Sequence, residues 1–196
     1  MHKNRLEAFS DGVLAIILTI MVLEMKVPHG DASLAALRPI LPVLLSYVLS
    51  FAYIGIYWNN HHHLLQAAHQ VNGRILWANM HLLFWLSLLP FVTGWLGESG
   101  VRTWPVFAYN LVLLMAGVAY FLLARTLVAH HGPDSALARA MGQRARADVK
   151  GLVSVVVYAI ALPLSLVHPL SAVILPVGVA LMWLVPDRRI ESAIAD

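Results

Sequence analysis

The 196-residue sequence contains no cysteine and few charged side chains. Without cysteine the chain has neither disulfides nor thiolate metal sites. Charged residues make up only 12% of the chain, whereas 60% of its residues are hydrophobic. Soluble domains carry about 25% charged residues, so this composition excludes a soluble globular protein. The sequence therefore predicts an integral membrane protein.

The excess of positive charge is small, with a formal net charge of +3. A nucleic-acid-binding protein gathers its Lys and Arg side chains on one face, often with aromatic side chains between them. Here the basic residues lie between long apolar stretches instead. We therefore interpret them as determinants of membrane topology and expect no nucleic-acid partner.

Long stretches without charge supply the candidate membrane spans, each of which needs about 20 mostly apolar residues. The longest uncharged stretch, 151–186, is divided at His168-Pro169 because proline disfavours the continuation of a helix. The prediction is an all-α membrane protein with one domain over residues 1–196 and six transmembrane helices. The approximate spans are 6–27, 39–61, 74–96, 103–125, 151–167 and 170–186.

The N-terminal region resembles a secretory signal, because Lys3 and Arg5 precede an apolar run. Glu7 and Asp11 lie at the start of that run, however, and no small-residue cleavage site follows it. We therefore expect a first helix that is retained in the mature protein.

Basic residues also predict the orientation of the spans, because cytoplasmic segments are enriched in Lys and Arg. With the N-terminus inside, ten of the 13 basic residues lie on the cytoplasmic side. Lys26, Arg38 and Arg102 lie outside. We expect a multi-pass protein of the cell membrane with both termini in the cytoplasm. The longest polar segment, 126–149, is expected to form a short amphipathic helix after Gly132-Pro133.

One face of the first helix is an apolar stripe. At about 100° per residue, Thr19, Ile20 and Leu23 fall within about 60° of Ile16. Ser10 and Asp11 lie about 120° and 140° away from Ile16 on the same projection. The helix therefore has an apolar face that contains one hydroxyl group. Its polar side chains lie near the N-terminus and point away from that face.

Asp11 has two interpretations. An ionisable side chain in a membrane span is normally paired inside the bundle. Alternatively, an anion near a helix N-terminus is stabilised by the helix dipole alone. Polar side chains at the same end of the second and third predicted spans favour the paired interpretation. They are Trp58, Asn59, Asn60, His61, Asn79 and His81.

The histidines suggest a second class of function, a membrane-embedded enzyme or a haem- or metal-binding protein. Such a site would use His61, His62, His81 and Glu24. Consecutive histidines point about 100° apart on a helix and do not converge on one ion. An enzyme would also gather several polar groups in one cavity, whereas the middle of each predicted span is apolar. We therefore expect no metal and no enzymatic activity.

Arg5 and Phe9-Ser10-Asp11 reproduce the RxxxFSD signature of the transmembrane protein 175 family of potassium channels, which this sequence resembles. The resemblance extends over six spans. Trp58, His61 and Asn79 resemble the polar partners of the signature. The resemblance implies a structural polar network formed by Arg5, Phe9, Ser10, Asp11, Trp58, His61 and Asn79. In this network Asp11 holds helices together and is not an ion ligand.

The resemblance also implies a homotetramer in which the first helix lines a central pore. The matching pore positions are a constriction of Ile16, Ile20 and Leu23, with Thr19 as a pore-facing hydroxyl. No internal repeat is present, so a symmetric pore requires several chains. The sequence has no TVGYG-type filter loop, and only weak selectivity for potassium over sodium is expected. The implied partners are potassium and other monovalent cations and the lipid bilayer, without a cofactor.

Overall fold

The computed structural model describes residues 3–27, 33–68, 70–132 and 145–184, with side chains in the last range from residue 150 onward. The regular elements in these ranges are helices, which confirms the predicted all-α class. A 3₁₀ segment, Leu34–Ile40, precedes the second helix. The helices are α1 (Asn4–Leu23), α2 (Leu41–Gln66), α3 (Gly73–Ser87), α4 (Leu89–Ser99), α5 (Thr103–His131), α6 (Ala145–Val167) and α7 (Pro169–Leu184).

Five segments are long and apolar enough to cross a membrane. They are α1, the 3₁₀ segment with α2, α3 with α4, α5, and residues Lys150–Val167 of α6. The apolar helix α7 has 16 residues, which at 1.5 Å per residue is about 24 Å. The predicted membrane protein with several apolar helices is confirmed. The amphipathic helix predicted after Gly132-Pro133 falls on residues 133–144, outside the described ranges.

Helix α2 extends beyond the predicted end of the second span at residue 61. Its last turns comprise the stretch from Asn59 to Gln66, of which residues 62–66 lie beyond the predicted span. No proline or glycine interrupts the chain between Ile56 and Asn72. The helical hydrogen bonds therefore continue until the turn that precedes α3. This extension brings the last turn of α2 alongside the start of α1, where Lys3 contacts it.

The third predicted span contains a break at Leu88. Pro90 has no N–H to donate to the carbonyl of Leu86, and its ring crowds the preceding turn. The Leu88 N–H instead donates to the carbonyl of Trp85 at 3.2 Å, three residues back. Helices α3 and α4 are thus two parts of one span.

The described helices form one bundle, in which α1 packs against α2, α3 and α4, and α5 packs against α3, α4, α6 and α7. Helices α2 and α4 approach each other closely at Gly97 of α4. A Cβ atom there would lie 2.7 Å from the Cα of Val43 and 2.7 Å from the Oγ of Ser46. Only glycine allows α2 and α4 to lie this close together.

Helix α7 contains Pro176, which cannot donate to the carbonyl of Ala172. The side chain of Asn110 in α5 takes over this role, since its Nδ2 donates to the Ala172 carbonyl at 3.3 Å. The Tyr53 hydroxyl donates to the carbonyl of Pro176 at 2.6 Å and accepts from the Tyr158 hydroxyl at 3.1 Å. Side chains from three helices therefore hold the irregular turn of α7.

Candidate functional site: the first helix and its contacts

The N-terminal half of α1 is joined to α2 and α3 by a buried chain of hydrogen bonds. The Ser10 hydroxyl donates to the carbonyl of Leu6 at 2.8 Å and accepts from Nδ2 of Asn79 at 2.9 Å. The Oδ1 of Asn79 then accepts from Nε2 of His61 at 2.7 Å. All three side chains are buried. We call this group the Ser10–Asn79–His61 chain.

The hydrogen-bond geometry shows which ring nitrogen of His61 donates to Asn79. Because Oδ1 of Asn79 can only accept, Nε2 of His61 carries the hydrogen in this arrangement. The other ring nitrogen, Nδ1, is buried and has no partner among the described residues. The chain thus runs from an imidazole N–H through an amide to a hydroxyl and ends on a backbone carbonyl.

Asp11 lies at the edge of this cluster. Its Oδ1 accepts from Nε1 of Trp58 at 3.1 Å, and the pair is partly exposed. Another carboxylate, Glu7, lies 3.5 Å from Nδ1 of His62. The expected proximity of Asp11 to Trp58 is therefore present in the structure, but Ser10 is the side chain that reaches Asn79.

Lys3 ties the start of α1 to the end of α2. Its Nζ donates to the carbonyls of Leu65 and Gln66 at 2.9 and 3.0 Å. These carbonyls belong to the last turn of α2, where a cation also interacts favourably with the helix dipole. The sequence analysis did not identify this contact, because it depends on the extension of α2 to Gln66.

Two other members of the signature face away from the bundle. Arg5 is exposed and forms no hydrogen bond or ion pair with a residue that the structure describes. Phe9 is 50% exposed in the single chain. Both lie on the same side of α1 as Ile16, so their surroundings in an assembly differ from those in one chain.

The C-terminal half of α1 leaves an apolar stripe uncovered. Ile16 is 58% exposed and Leu23 is 78% exposed, with Ile20 also exposed. The adjacent Ile17 is only 4% exposed and lies in the core. We call Ile16, Thr19, Ile20 and Leu23 the α1 stripe.

Thr19 contributes the hydroxyl of the α1 stripe. It is exposed, and its hydroxyl donates to the carbonyl of Ile16 at 2.9 Å. Because the proton is used within the helix, the lone pairs of the oxygen remain on the outer side.

A groove of about 680 Å³ lies beside the stripe, between α1 and α4. Its walls include Ile16, Ile20, Phe91 and Trp95, and Glu24 lies at its end. Near the same end, Lys26 forms an exposed ion pair with Glu98 at 2.7 Å. The hydrogen bond to Glu98 raises the pKa of Lys26 above its ordinary value of 10.5.

The histidines do not converge on a common site. His61 binds Asn79, His62 lies near Glu7, and Nε2 of His81 accepts from Nε1 of Trp85 at 2.9 Å. Glu24 lies at the opposite end of α1 from His61. Among the described residues, no group of three or more His, Cys, Asp or Glu side chains is placed to hold a metal ion. The enzyme or metal-binding alternative therefore gains no support from this geometry.

The bundle of long apolar helices defines a class of protein, a multi-pass membrane protein. Comparison with known proteins gives its family. The model of the family described as "Endosomal/lysosomal potassium channel TMEM175" matches residues 5–90. A potassium channel from Chryseobacterium sp. (strain P1-3) is 50% identical over 196 residues, which is all of both chains. The chain belongs to the TMEM175 family.

Two further relatives extend this comparison. The crystal structure of a lysosomal potassium-selective channel TMEM175 homolog from Chamaesiphon minutus matches with a TM-score of 0.75 and 26% identity. The match covers 92% of this chain and 95% of that chain. The human endosomal/lysosomal proton channel TMEM175 is 37% identical over 105 residues, which is 48% of this chain and 20% of the human chain.

Proposed function

We propose that this chain is the subunit of a homotetrameric, potassium-permeable cation channel with weak selectivity over sodium. The observation that carries the proposal is the exposed α1 stripe beside the buried Ile17, on a helix whose other end is fixed by polar contacts. The 50% identical relative named a potassium channel supports the same function.

The pore would form where four α1 helices meet. Ile16, Ile20 and Leu23 would form successive apolar rings, and Ile16 would form the narrowest one. Aliphatic side chains offer no oxygen to replace the hydration shell of a cation, so a narrow ring blocks ions by dewetting. Conduction then depends on the width of the ring. Thr19, whose acceptor lone pairs face outward, is where a partly hydrated ion would pause.

The polar contacts of α1 have a structural role in this proposal. The Ser10–Asn79–His61 chain and the Asp11–Trp58 hydrogen bond hold α1 against α2 and α3. Arg5 and Phe9 complete the signature on the exposed side. The side chains of the Ser10–Asn79–His61 chain and of the Asp11–Trp58 pair lie off the stripe, so they would fix the orientation of α1 and would not bind the ion.

The proposed location is the cell membrane, with both termini in the cytoplasm. This orientation is supported by the distribution of Lys and Arg over the polar segments. Reporter fusions at residues 30 and 140 should therefore report opposite sides of the membrane. If both fusions report the same side, the proposed topology is wrong.

The channel proposal is tested by potassium and sodium flux into proteoliposomes that contain purified protein. Ile16→Asn places a polar group in the proposed constriction and should raise flux and admit sodium more readily. The matched variant Ile17→Asn places the same group in the core and should lower the yield of assembled protein. Both variants are compared with the original protein at equal content of assembled tetramer.

An assembled Ile16→Asn protein with unchanged rate and selectivity would contradict the constriction. A protein that is monomeric in detergent and bilayers would contradict the tetramer. Absence of potassium flux in the original protein, with assembly intact, would contradict the function itself.

A further inference from the structure

A crevice of about 260 Å³ lies between α2, α5 and α6, with Trp183 of α7 at one end. It shares no lining residue with the α1 stripe. Its aromatic lining residues are Tyr53, Tyr57, Tyr120, Phe121, Tyr158 and Trp183. Phe121 and Leu152, both exposed, mark the side on which the crevice opens. We call it the aromatic crevice.

The volume of the aromatic crevice limits the size of a ligand. A cavity of about 150 Å³ holds one benzene molecule, whereas sites for drug-sized ligands begin at about 300 Å³. A crevice of about 260 Å³ therefore accommodates a molecule with one or two rings. An aromatic ligand suits these walls, because aromatic pairs in offset or edge-to-face contact are stabilised beyond the burial of their apolar area.

The lining of the crevice also limits the charge of a ligand. None of the lining residues that the structure describes is Asp, Glu, Lys, Arg or His. A charged ligand would lose its hydration in the crevice without gaining an opposite charge from these residues, which is costly. The crevice therefore favours a neutral ligand.

The hydroxyl of Tyr57 lies inside the crevice without a protein partner. A Cβ atom at Gly117 of α5 would lie 3.7 Å from this oxygen, so the hydroxyl of Tyr57 reaches from α2 across to α5. The Tyr57 ring contacts Tyr120 edge to face, with the ring centres 6.3 Å apart. The hydroxyl forms no hydrogen bond with a described residue. Because polar groups away from water are normally hydrogen-bonded, this hydroxyl is a donor for an acceptor on a ligand.

Asn60 supplies a second polar group, one turn further along α2. Tyr57 and Asn60 both line the crevice, as residues three apart on one face of a helix can do. Nδ2 of Asn60 donates to the carbonyl of Ile56 at 2.8 Å, whereas Oδ1 of Asn60 has no partner among the described residues. The crevice thus offers one donor and one acceptor beside its aromatic walls. A ligand that matches both carries a carbonyl next to an N–H group.

We propose that the aromatic crevice binds a neutral aromatic amide. The ring of the ligand lies against the aromatic walls, its carbonyl accepts from the Tyr57 hydroxyl, and its N–H donates to Oδ1 of Asn60. The proposal does not depend on ion conduction.

Photolabelling with 4-azidobenzamide, a neutral one-ring amide, tests the proposal. The protein is irradiated with the probe in phosphatidylcholine vesicles, and the labelled peptides are identified by mass spectrometry. We expect saturable labelling of the segments of α2, α5 and α6 that line the crevice, and displacement by unlabelled benzamide. Labelling that does not saturate, or that lies on other segments, would overturn the proposal. Labelling that occurs in detergent but is lost in the vesicles would also overturn it, because a lipid chain would then fill the crevice.

Tyr57→Phe tests the hydrogen bond to the ligand. The variant removes one hydroxyl that has no protein partner, so it should fold like the original protein. Loss of one neutral hydrogen bond should weaken the binding of 4-azidobenzamide about two- to twelvefold. Tyr47→Phe is the matched control, because Tyr47 lies on α2 outside the crevice and forms no hydrogen bond with a described residue. Equal affinity in the two variants would overturn the role of Tyr57.

A second pair of variants tests the crevice itself. A Cβ atom at Gly151 or Gly178 meets no atom within 4 Å, so both positions accept a side chain without a clash at this atom. Gly151 lines the crevice and Gly178 does not. Gly151→Leu should fill the crevice and remove the saturable labelling, and Gly178→Leu should leave it unchanged. Labelling that survives in Gly151→Leu would overturn the assignment of the crevice. If Gly151→Leu does not assemble, the Tyr57→Phe and Tyr47→Phe pair still decides the proposal.

Two analogues of the probe test the chemistry of the ligand. The anion 4-azidobenzoate should give no saturable labelling of the crevice. Methyl 4-azidobenzoate, which is neutral but has no N–H, should bind more weakly than the amide at equal concentration in the membrane. Binding of the anion as tight as that of the amide would overturn the neutral ligand, and an equal affinity for the ester would overturn the role of Asn60. Flux is not a readout here, so this proposal and the channel function can fail separately.

Discussion

Residues 4–14 of α1 are held by polar side chains in addition to the buried Leu6 and Leu14, whereas residues 15–23 contact the bundle through apolar side chains. The first half has Ser10 bound to Asn79, Asp11 bound to Trp58, and Lys3, just before the helix, bound to the end of α2. In the second half, Ile17 and Met21 are buried, and the Thr19 hydroxyl bonds within its own helix. The first half thus adds directional contacts to packing, whereas the described side-chain contacts of the second half with the bundle are apolar.

This difference shows how the chain selects the face that α1 exposes. Hydrogen bonds depend on angle as well as distance, whereas apolar packing is not directional. The contacts of Ser10 therefore fix the rotation of α1 about its own axis. A rotation of about 100°, one residue, would exchange Ile16 for Ile17 on the exposed side. The polar half thus determines the composition of the apolar stripe.

Among the variants that test this comparison, Asn79→Leu is expected to cause the largest loss of folded, assembled protein. The change removes both bonds of Asn79 and leaves the buried Ser10 hydroxyl and the His61 ring nitrogen with reduced bonding. Each buried polar group left unsatisfied costs about 1–3 kcal/mol. The folded, assembled fraction should fall clearly, as measured by size-exclusion chromatography after heating in detergent.

Asn59→Leu is the matched control for this prediction. Asn59 is exposed on the same helical turn as Trp58 and forms no hydrogen bond with a described residue. This variant should assemble like the original protein. If Asn79→Leu also assembles and melts like the original, the buried chain does not hold α1.

A smaller effect is expected from the Asp11–Trp58 hydrogen bond, because it is partly exposed. Asp11→Asn, Trp58→Phe and the double variant form a double-mutant cycle. Their coupling should be about 0.5–1.5 kcal/mol, the range of a single hydrogen bond. Ion selectivity should not change in Asp11→Asn at equal tetramer content. An altered selectivity in well-assembled protein would show that Asp11 faces the ions.

The smallest effect is expected at the other end of α1, where Lys26 and Glu98 form an exposed ion pair. Because the pKa of Lys26 is raised, any stabilisation is complete below 10.5 and is lost as the pH rises through the higher value in the folded protein. Lys26→Met should slightly lower the melting temperature at pH 8 and low salt. The difference should vanish at high pH and in about 1 M salt. A difference that persists under both conditions would indicate a role other than the ion pair.

Sequence periodicity was sufficient to predict which residues of α1 share a face. The prediction that Ile16, Ile20 and Leu23 lie together depends only on the rotation per residue, and the structure exposes all three. The same projection pointed Ser10 and Asp11 away from Ile16. It could not show which of them reaches Asn79, because that depends on the distances between α1, α2 and α3. Their role in a pore stays a prediction.

Helix boundaries were harder to predict where polarity and backbone chemistry disagree. Polarity suggested that the second span ends near His61, whereas the absence of proline and glycine lets α2 continue to Gln66. Pro90 breaks the third span although the apolar run continues through it. The contact between Lys3 and Leu65 could not be predicted without the longer α2. Proline and glycine positions would have been the more informative signal.

The bonding around Pro176 has a consequence for how the molecule can move. A proline inside a membrane helix usually creates a flexible hinge, since the carbonyl four residues earlier has lost its partner. In α7 that carbonyl is bound by Asn110, and the carbonyl of Pro176 itself accepts from Tyr53. These two contacts restrain the turn, so we expect amide hydrogens around it to exchange as slowly as those of α5. In the proposed channel, motions that widen the pore are then expected elsewhere in the chain.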